Sequence, residues 1–184
     1  PGTPGRGNLL YLRMDLPDGS AVSLLLDTGA RRSTLSAGTI VACRLPTSRL
    51  WIPRRHDRIG GSCWSLREAR IPRARLGSAQ GRDLIFREGE FDLLGMDLIG
   101  LNMLLVDRPG GTAGLLPAAQ WAPFLKRRFP DFAWTQVPLD DGVRVVLETG
   151  RIPALPWVID TGAMASTVDR TTARRLGLSP CGAN

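Results

Sequence analysis

Histidine is nearly absent from this 184-residue chain: His56 stands alone and reads as a surface residue. A Ser-His-Asp or Cys-His site would have to be built on it, and no Gly-x-Ser-x-Gly elbow is present to carry a nucleophile. Cysteine is scarce as well. Cys43, Cys63 and Cys181 are an odd number without Cys-x-x-Cys spacing, whereas a structural zinc site takes about four clustered ligands. No metal and no other cofactor are therefore expected, while one disulfide plus a spare thiol stays open. The glycine patterns of phosphate-binding and dinucleotide-binding loops are both missing. No apolar run approaches the ~18–20 residues with which a helix crosses a bilayer, so no membrane span is expected. There is no glycine period and no heptad, and aliphatic residues are too many for a disordered chain.

What remains is a chain with 43% apolar residues, enough to build a core in one domain or two small ones. Its net charge is +7, and every basic residue except Lys126 is arginine. The arginines are scattered, with Arg54-Arg55 and Lys126-Arg127-Arg128 among the densest groups. No RNA-binding aromatic signature and no helix-turn-helix pattern accompany them, so they read as a solvated surface and no nucleic-acid partner is expected. The Pro/Gly-rich start, Pro1 to Gly7, is compatible with a processed, exported protein.

An internal repeat organises the rest. Leu25-Leu26-Asp27-Thr28-Gly29-Ala30-Arg31-Arg32-Ser33-Thr34-Leu35 recurs as Val158-Ile159-Asp160-Thr161-Gly162-Ala163-Met164-Ala165-Ser166-Thr167-Val168, at an offset of 160 − 27 = 133 residues. Six of the eight positions from each Asp onward are identical, and Thr39/Thr172 and Leu45/Leu178 continue the match. One Asp-Thr-Gly is weak, because such tripeptides are common in turns; two with the same apolar approach and the same Ser-Thr exit are not.

Leu10, Leu12, Met14 and Leu16 alternate with polar residues, which predicts a half-buried strand. Pro17 to Ser20 predicts a turn, and Ala21 to Leu26 a buried strand running into Asp27. The second copy follows the same plan: a strand over Val143 to Glu148, a turn at Thr149-Gly150, and a strand through Trp157 to Ile159. Short helices are expected over Ala37 to Arg44 and Arg170 to Leu176, with Gly177 ending the latter. Between the copies, Arg58 to Ser62 reads as a hairpin tip. Glu68 to Leu76 reads as a strand that Pro72 confines to an edge or a bulge. Asp83 to Phe86 reads as a short strand, the glycines 110, 111 and 114 as a loop, and Pro117 to Phe129 as an amphipathic helix broken or begun at Pro123.

Each motif sets a carboxylate at the end of an apolar strand, followed by a glycine that permits a sharp turn. Two such units packed about a pseudo-two-fold axis would bring Asp27 and Asp160 together. Like carboxylates about 3 Å apart cannot both ionise, so the pair shares a proton. One can then take a proton from water while the other protonates a carbonyl oxygen under attack. That suits amide hydrolysis without a metal or a nucleophilic Ser or Cys.

The two Asp-Thr-Gly-Ala motifs resemble those of aspartic proteases, closest to the retropepsin-like group. Leu93-Leu94-Gly95-Met96-Asp97 is similar to the hydrophobic-hydrophobic-Gly element that passes behind the active-site loop in that family. Ile59-Gly60-Gly61 lies where the family carries the tip of its substrate-covering flap, although an ordinary hairpin turn would serve the same residues. The resemblance implies an all-β fold: a retropepsin-like barrel lobe over residues 1–108, a connector over 109–134, and the start of a second lobe over 135–184. It implies an aspartic endopeptidase acting on peptide or protein substrates, with Asp27 and Asp160 as catalytic dyad. Thr28 and Thr161 would link the active-site loops by reciprocal hydrogen bonds, Gly29 and Gly162 would let substrate backbone approach, and Ala30 and Ala163 complete the loops. Many pepsin-like relatives carry a Ser or Thr donor where this chain has Ala30 and Ala163. Its absence implies a dyad that keeps its proton to mildly acidic or near-neutral pH.

The second copy departs from the family pattern. Only 24 residues follow Asp160, without a flap or a second hydrophobic-Gly element. The expectation is a piece of a longer two-lobed enzyme, itself inactive. Otherwise the first lobe pairs with another copy as a homodimer. A non-catalytic peptide-binding or interaction module of the same fold is the alternative.

Overall fold

The computed structural model describes residues 9–58, 61–77, 79–100, 102–107, 112–128, 130, 144–149, 152–163 and 166–178. Strands β1 (Tyr11–Asp15) and β2 (Ala21–Leu26) form an antiparallel hairpin from Tyr11↔Leu25 to Asp15↔Ala21. Its turn is made by Gly19, at a φ of 84° that suits a residue without Cβ, and by Asp18, whose Oδ1 accepts from the Ser20 backbone at 3.0 Å. Met14, Leu16, Val22, Leu24 and Leu26 point inward, as period-two alternation requires.

After β3 (Thr34–Ser36), Ser36 caps α1 (Ala37–Ala42) by accepting from the Thr39 N–H at 3.2 Å. Three long strands follow: β4 (Thr47–Arg58), β5 (Gly61–Leu76) and β6 (Ala79–Gly89). The chain then returns through β7 (Leu93–Leu94) into the one-turn helix α2 (Met96–Ile99).

These strands make one sheet in the order β1-β2-β7-β3-β6-β5-β4. β1 also pairs with β5 through Met14↔Leu76 and Asp15↔Arg75. Six strands therefore close into a ring, and β4 alone lies outside it, against β5. Closure removes edges and creates an interior. Phe86, Met14, Leu24, Leu26, Leu35, Ile71 and Leu94 fill that interior without solvent exposure, each contributing on the order of 1.5–3 kcal/mol. β7 is the topological key. It runs parallel to β2 and antiparallel to β3, so it sits between the strand entering the first motif and the strand leaving it.

Of three proline and glycine positions, Pro72 sits at a free strand side as expected, and Gly114 and Pro123 differ. Pro72 lies within β5, between the end of the β4 pairing at Ala69 and the start of the β1 pairing at Arg75. That stretch has one free side, and Asp83, opposite it in the register, bends at a φ of 51°. Gly114 is not in a loop but in β9 (Thr112–Pro117), which pairs with β8 (Asn102–Asp107). α3 (Ala118–Arg128) runs through Pro123 and buries Leu125.

The second copy repeats the first in register as well as in sequence. β10 (Arg144–Thr149) and β11 (Ile152–Val158) pair as Arg144↔Val158, Val145↔Trp157, Val146↔Pro156 and Leu147↔Leu155. Each pair is displaced by the same 133 residues from Tyr11↔Leu25, Leu12↔Leu24, Arg13↔Ser23 and Met14↔Val22. α4 (Arg170–Arg175) begins at the equivalent position, with Asp169 capping it where Ser36 caps α1. Its exit matches too: the Leu178 N–H returns to the Ala173 carbonyl at 2.9 Å, as Leu45 returns to Ile40 at 3.0 Å.

Candidate active site

Asp27 follows the last residue of β2, where its backbone N–H is held by the Leu94 carbonyl of β7 at 3.0 Å. The loop then turns over β7. A Cβ on Gly95 would lie 2.6 Å from the Arg32 carbonyl carbon and 2.9 Å from the Ala30 oxygen. Only glycine passes there, and the Met96 N–H bonds the same Ala30 oxygen at 2.8 Å. Beneath the loop, buried Ser33 donates from its N–H and Oγ to Asp97 Oδ1 at 2.8 and 2.7 Å, and its Oγ accepts from the Gly95 N–H at 2.9 Å. Arg32 lies 3.8 Å from the other Asp97 oxygen. The Ser33–Asp97 link escapes sequence reading because 64 residues separate the partners. Its one sequence trace is the recurrence of Ser33 as Ser166.

Asp160 follows β11 by two residues, and the two loops interlock. The Thr28 N–H donates to Thr161 Oγ1 at 3.1 Å, and the Thr161 N–H donates to Thr28 Oγ1 at 3.1 Å. Each hydroxyl donates onward across the junction, Thr28 to the Ile159 carbonyl at 2.5 Å and Thr161 to the Leu26 carbonyl at 2.7 Å. Both threonine side chains are thereby satisfied, which matters because Thr28 is buried.

The interlock decides what the glycines do. A Cβ on Gly29 would fall 2.6 Å from the Asp160 carboxyl carbon, and one on Gly162 would fall 2.6 Å from that of Asp27. Neither glycine has a positive φ, so the requirement is for space, not for a left-handed turn. Each aspartate thus stands over the glycine of the other motif. Asp27 Oδ1 accepts from the Gly29 and Ala30 N–H groups, both at 2.9 Å, and Asp160 Oδ1 from the Gly162 N–H at 2.8 Å.

These surroundings raise the Asp27 carboxyl from 3.8 to about 6. Burial contributes most, followed by the negative charge of Asp160 and a hydrogen bond shared with it, while the Ala30 and Gly29 N–H groups pull the other way. The Asp27 carboxyl so placed keeps its proton into mildly acidic pH.

Of the hairpin-tip residues, Gly61 opens β5 paired with Arg58; Ile59 and Gly60 lie outside the described residues. A cleft of about 520 Å³ lined by Arg13, Asp15, Arg73 and Arg82, among others, contains neither carboxylate of the pair. Among the described residues no cluster suits a metal ion, and no helix is long and apolar enough to cross a membrane.

No protein-family model and no curated protein matches the chain. Among solved structures, the chain is similar to a retropepsin-like aspartic protease from Rickettsia conorii, with 16% identity and a TM-score of 0.46 over 58% of this chain and 91% of that one.

Proposed function

We propose that this chain carries the machinery of an aspartic endopeptidase, with Asp27 and Asp160 as one proton-sharing pair. The observation that carries the reading is the reciprocal interlock: each carboxylate lies over the glycine of the opposite motif, fixed by paired threonine hydrogen bonds. In the reaction so read, the raised carboxyl brings the shared proton. Asp160 takes a proton from the attacking water as its oxygen adds to the peptide carbonyl carbon, and Asp27 protonates the carbonyl oxygen. Asp160 then gives its proton to the amide nitrogen as the C–N bond breaks, and Asp27 takes back a proton from a hydroxyl of the diol, which restores the starting pair.

In this reading Ile59, Gly60 and Gly61 form the tip that covers a bound peptide. Residues 1–108 make the first lobe, 109–134 the connector and 135–184 the beginning of the second. The test is cleavage of a complex peptide mixture followed by mass spectrometry, with Asp27→Asn and Asp160→Asn as controls. Each variant should lose activity by on the order of a thousandfold while melting as the parent does. Substantial cleavage by either variant would rule out the pair, and peptide capture without cleavage by the parent would leave a binding module.

A further inference from the structure

The end of the barrel away from Asp27 carries a basic cleft. Ala69 and Ile71 of β5 face the interior, and strict alternation would send Arg73 there as well. Opposite Pro72, however, Asp83 bends β6 at a φ of 51°, and the phase shifts by one residue. Ala74 is buried instead, so Arg73 and Arg75 face outward. Their partners across the ladder are Arg82 and Gln80, both exposed. On the other side of β5, Arg75 pairs with Asp15 of β1, next to fully buried Met14, and Arg13 lies two residues earlier on the same outward face. These side chains border the cleft of about 520 Å³, within the ~300–1,000 Å³ of small-molecule sites. The β1–β2 turn forms its other wall. β2 has that turn at one end and Asp27 at the other, about 20 Å apart at ~3.3 Å per residue.

Charge identifies the ligand. Asp15 is shared, its Oδ1 accepting from Arg13 at 2.7 Å and its Oδ2 from Arg75 at 3.0 Å. Arg73 and Arg82 stand directly across the strand pair, with Cβ atoms about 4.5–5.5 Å apart. Among the described residues neither has an ion-pair partner. Like charges so placed are unfavourable, and an anion between them reverses the sign. Four arginines against one aspartate leave three positive charges unmatched in the cleft. A carboxylate brings one negative charge, a phosphate monoester up to about two, and a diphosphate about three. The site is also compact: β1, β5 and β6 are adjacent strands, so the arginines of β1 and β6 lie about 10 Å apart. That spacing suits one small polyanion better than an extended chain. Two guanidinium forks converging from neighbouring strands match the tetrahedral oxygens of phosphate. No aromatic side chain lines the cleft, so nothing there stacks a base, and the phosphates themselves are what it can hold.

We propose that this cleft binds a diphosphate group between Arg73 and Arg82, as free pyrophosphate or at the end of an ester. The test is calorimetric titration of the full chain with inorganic pyrophosphate at low salt, against orthophosphate and citrate. Pyrophosphate should bind at least about tenfold more tightly than either, and its affinity should fall with added salt. Arg73→Gln with Arg82→Gln should weaken it by about tenfold or more without moving the melting temperature. Asp15→Asn, which removes the one negative charge and frees Arg13 and Arg75, should tighten it by a few fold or more. Arg127→Gln with Arg128→Gln removes the same charge elsewhere and should change little. An ADP arm separates the two sources: affinity equal to that of pyrophosphate identifies the ester, and affinity about tenfold weaker the free anion. Asp27→Asn should bind pyrophosphate as the parent does, so this result stands apart from that of the cleavage assay. No pyrophosphate binding, citrate bound as tightly, or Arg73→Gln with Arg82→Gln indistinguishable from the parent would each overturn the proposal. So would an equal loss in Arg127→Gln with Arg128→Gln, which would mark diffuse attraction to a basic surface.

Discussion

Asp27 and Asp160 end equivalent strands in equivalent registers, yet the ground beneath them differs. Leu26, just before Asp27, is fully buried, whereas its counterpart Ile159 keeps 45% exposure. Ser33 is fully buried and bonded to Asp97 and Gly95, while its counterpart Ser166 is exposed. The cause is β7. In the first copy Leu93-Leu94 lies between β2 and β3 and supplies the carbonyls that hold Leu25 and Asp27. Among the described residues no strand plays that part beside β11. Hairpin register, helix cap and helix exit need only local sequence, so both copies have them. Burial of the loop needs a distant strand, and among the described residues only the first copy has one there. The second motif is held chiefly by its partner, through the threonine bonds.

That contrast can be broken at its shared point. Gly29→Ala and Gly162→Ala each drive a methyl group into the opposite carboxyl, so both should cut peptide cleavage on the order of a hundredfold or more. Gly114→Ala, with open space at its Cβ, should leave cleavage unchanged.

Stability should separate the two copies where activity does not. Ser33→Ala strands a buried Gly95 N–H and strips Asp97 of a donor, which should cost about 1–3 kcal/mol in chemical denaturation. Ser166→Ala, at an exposed site, should stay within about 0.5 kcal/mol. Equal losses would show that the second copy is backed as firmly as the first.

A smaller difference lies at the helix exits. Arg44 ends α1 with a φ of 48°, where Gly177 ends α4 at 64°. Arg44→Gly should therefore raise stability slightly, by up to about 1 kcal/mol, and Gly177→Arg should lower it by a similar amount. The melting temperatures of the two variants check this.

The legible parts of the fold were those set by neighbours in sequence. The strands around Asp27, the helices after each motif and Gly177 as a terminator follow from alternation and capping. β4 was not legible, because Pro53 and the apolar cluster at residues 50–52 interrupt any alternation. Pro72 reads as an edge or bulge residue, and the register agrees, since it lies between the end of the β4 pairing and the start of the β1 pairing. Gly29 and Gly162 read as turn glycines, but the structure uses them for clearance, which depends on a carboxylate more than a hundred residues away. The hairpin tip is paired through Arg58↔Gly61, with Ile59 and Gly60 outside the described residues.

Two motifs 133 residues apart set Asp27 and Asp160 against each other's loops. Because folding raises Asp27 above its ordinary 3.8, the folded chain binds that proton more tightly than the unfolded one. The resulting stability is fully present below about pH 4 and is lost as pH rises through about 6. The most direct measurement is an NMR titration of the Asp27 carboxyl carbon in the parent and in Asp160→Asn. The midpoint should lie near 6 in the parent and move clearly downward in Asp160→Asn, where the negative charge and the shared hydrogen bond of Asp160 are lost. A midpoint at the ordinary aspartate value in the parent, or the same midpoint in both proteins, would contradict it.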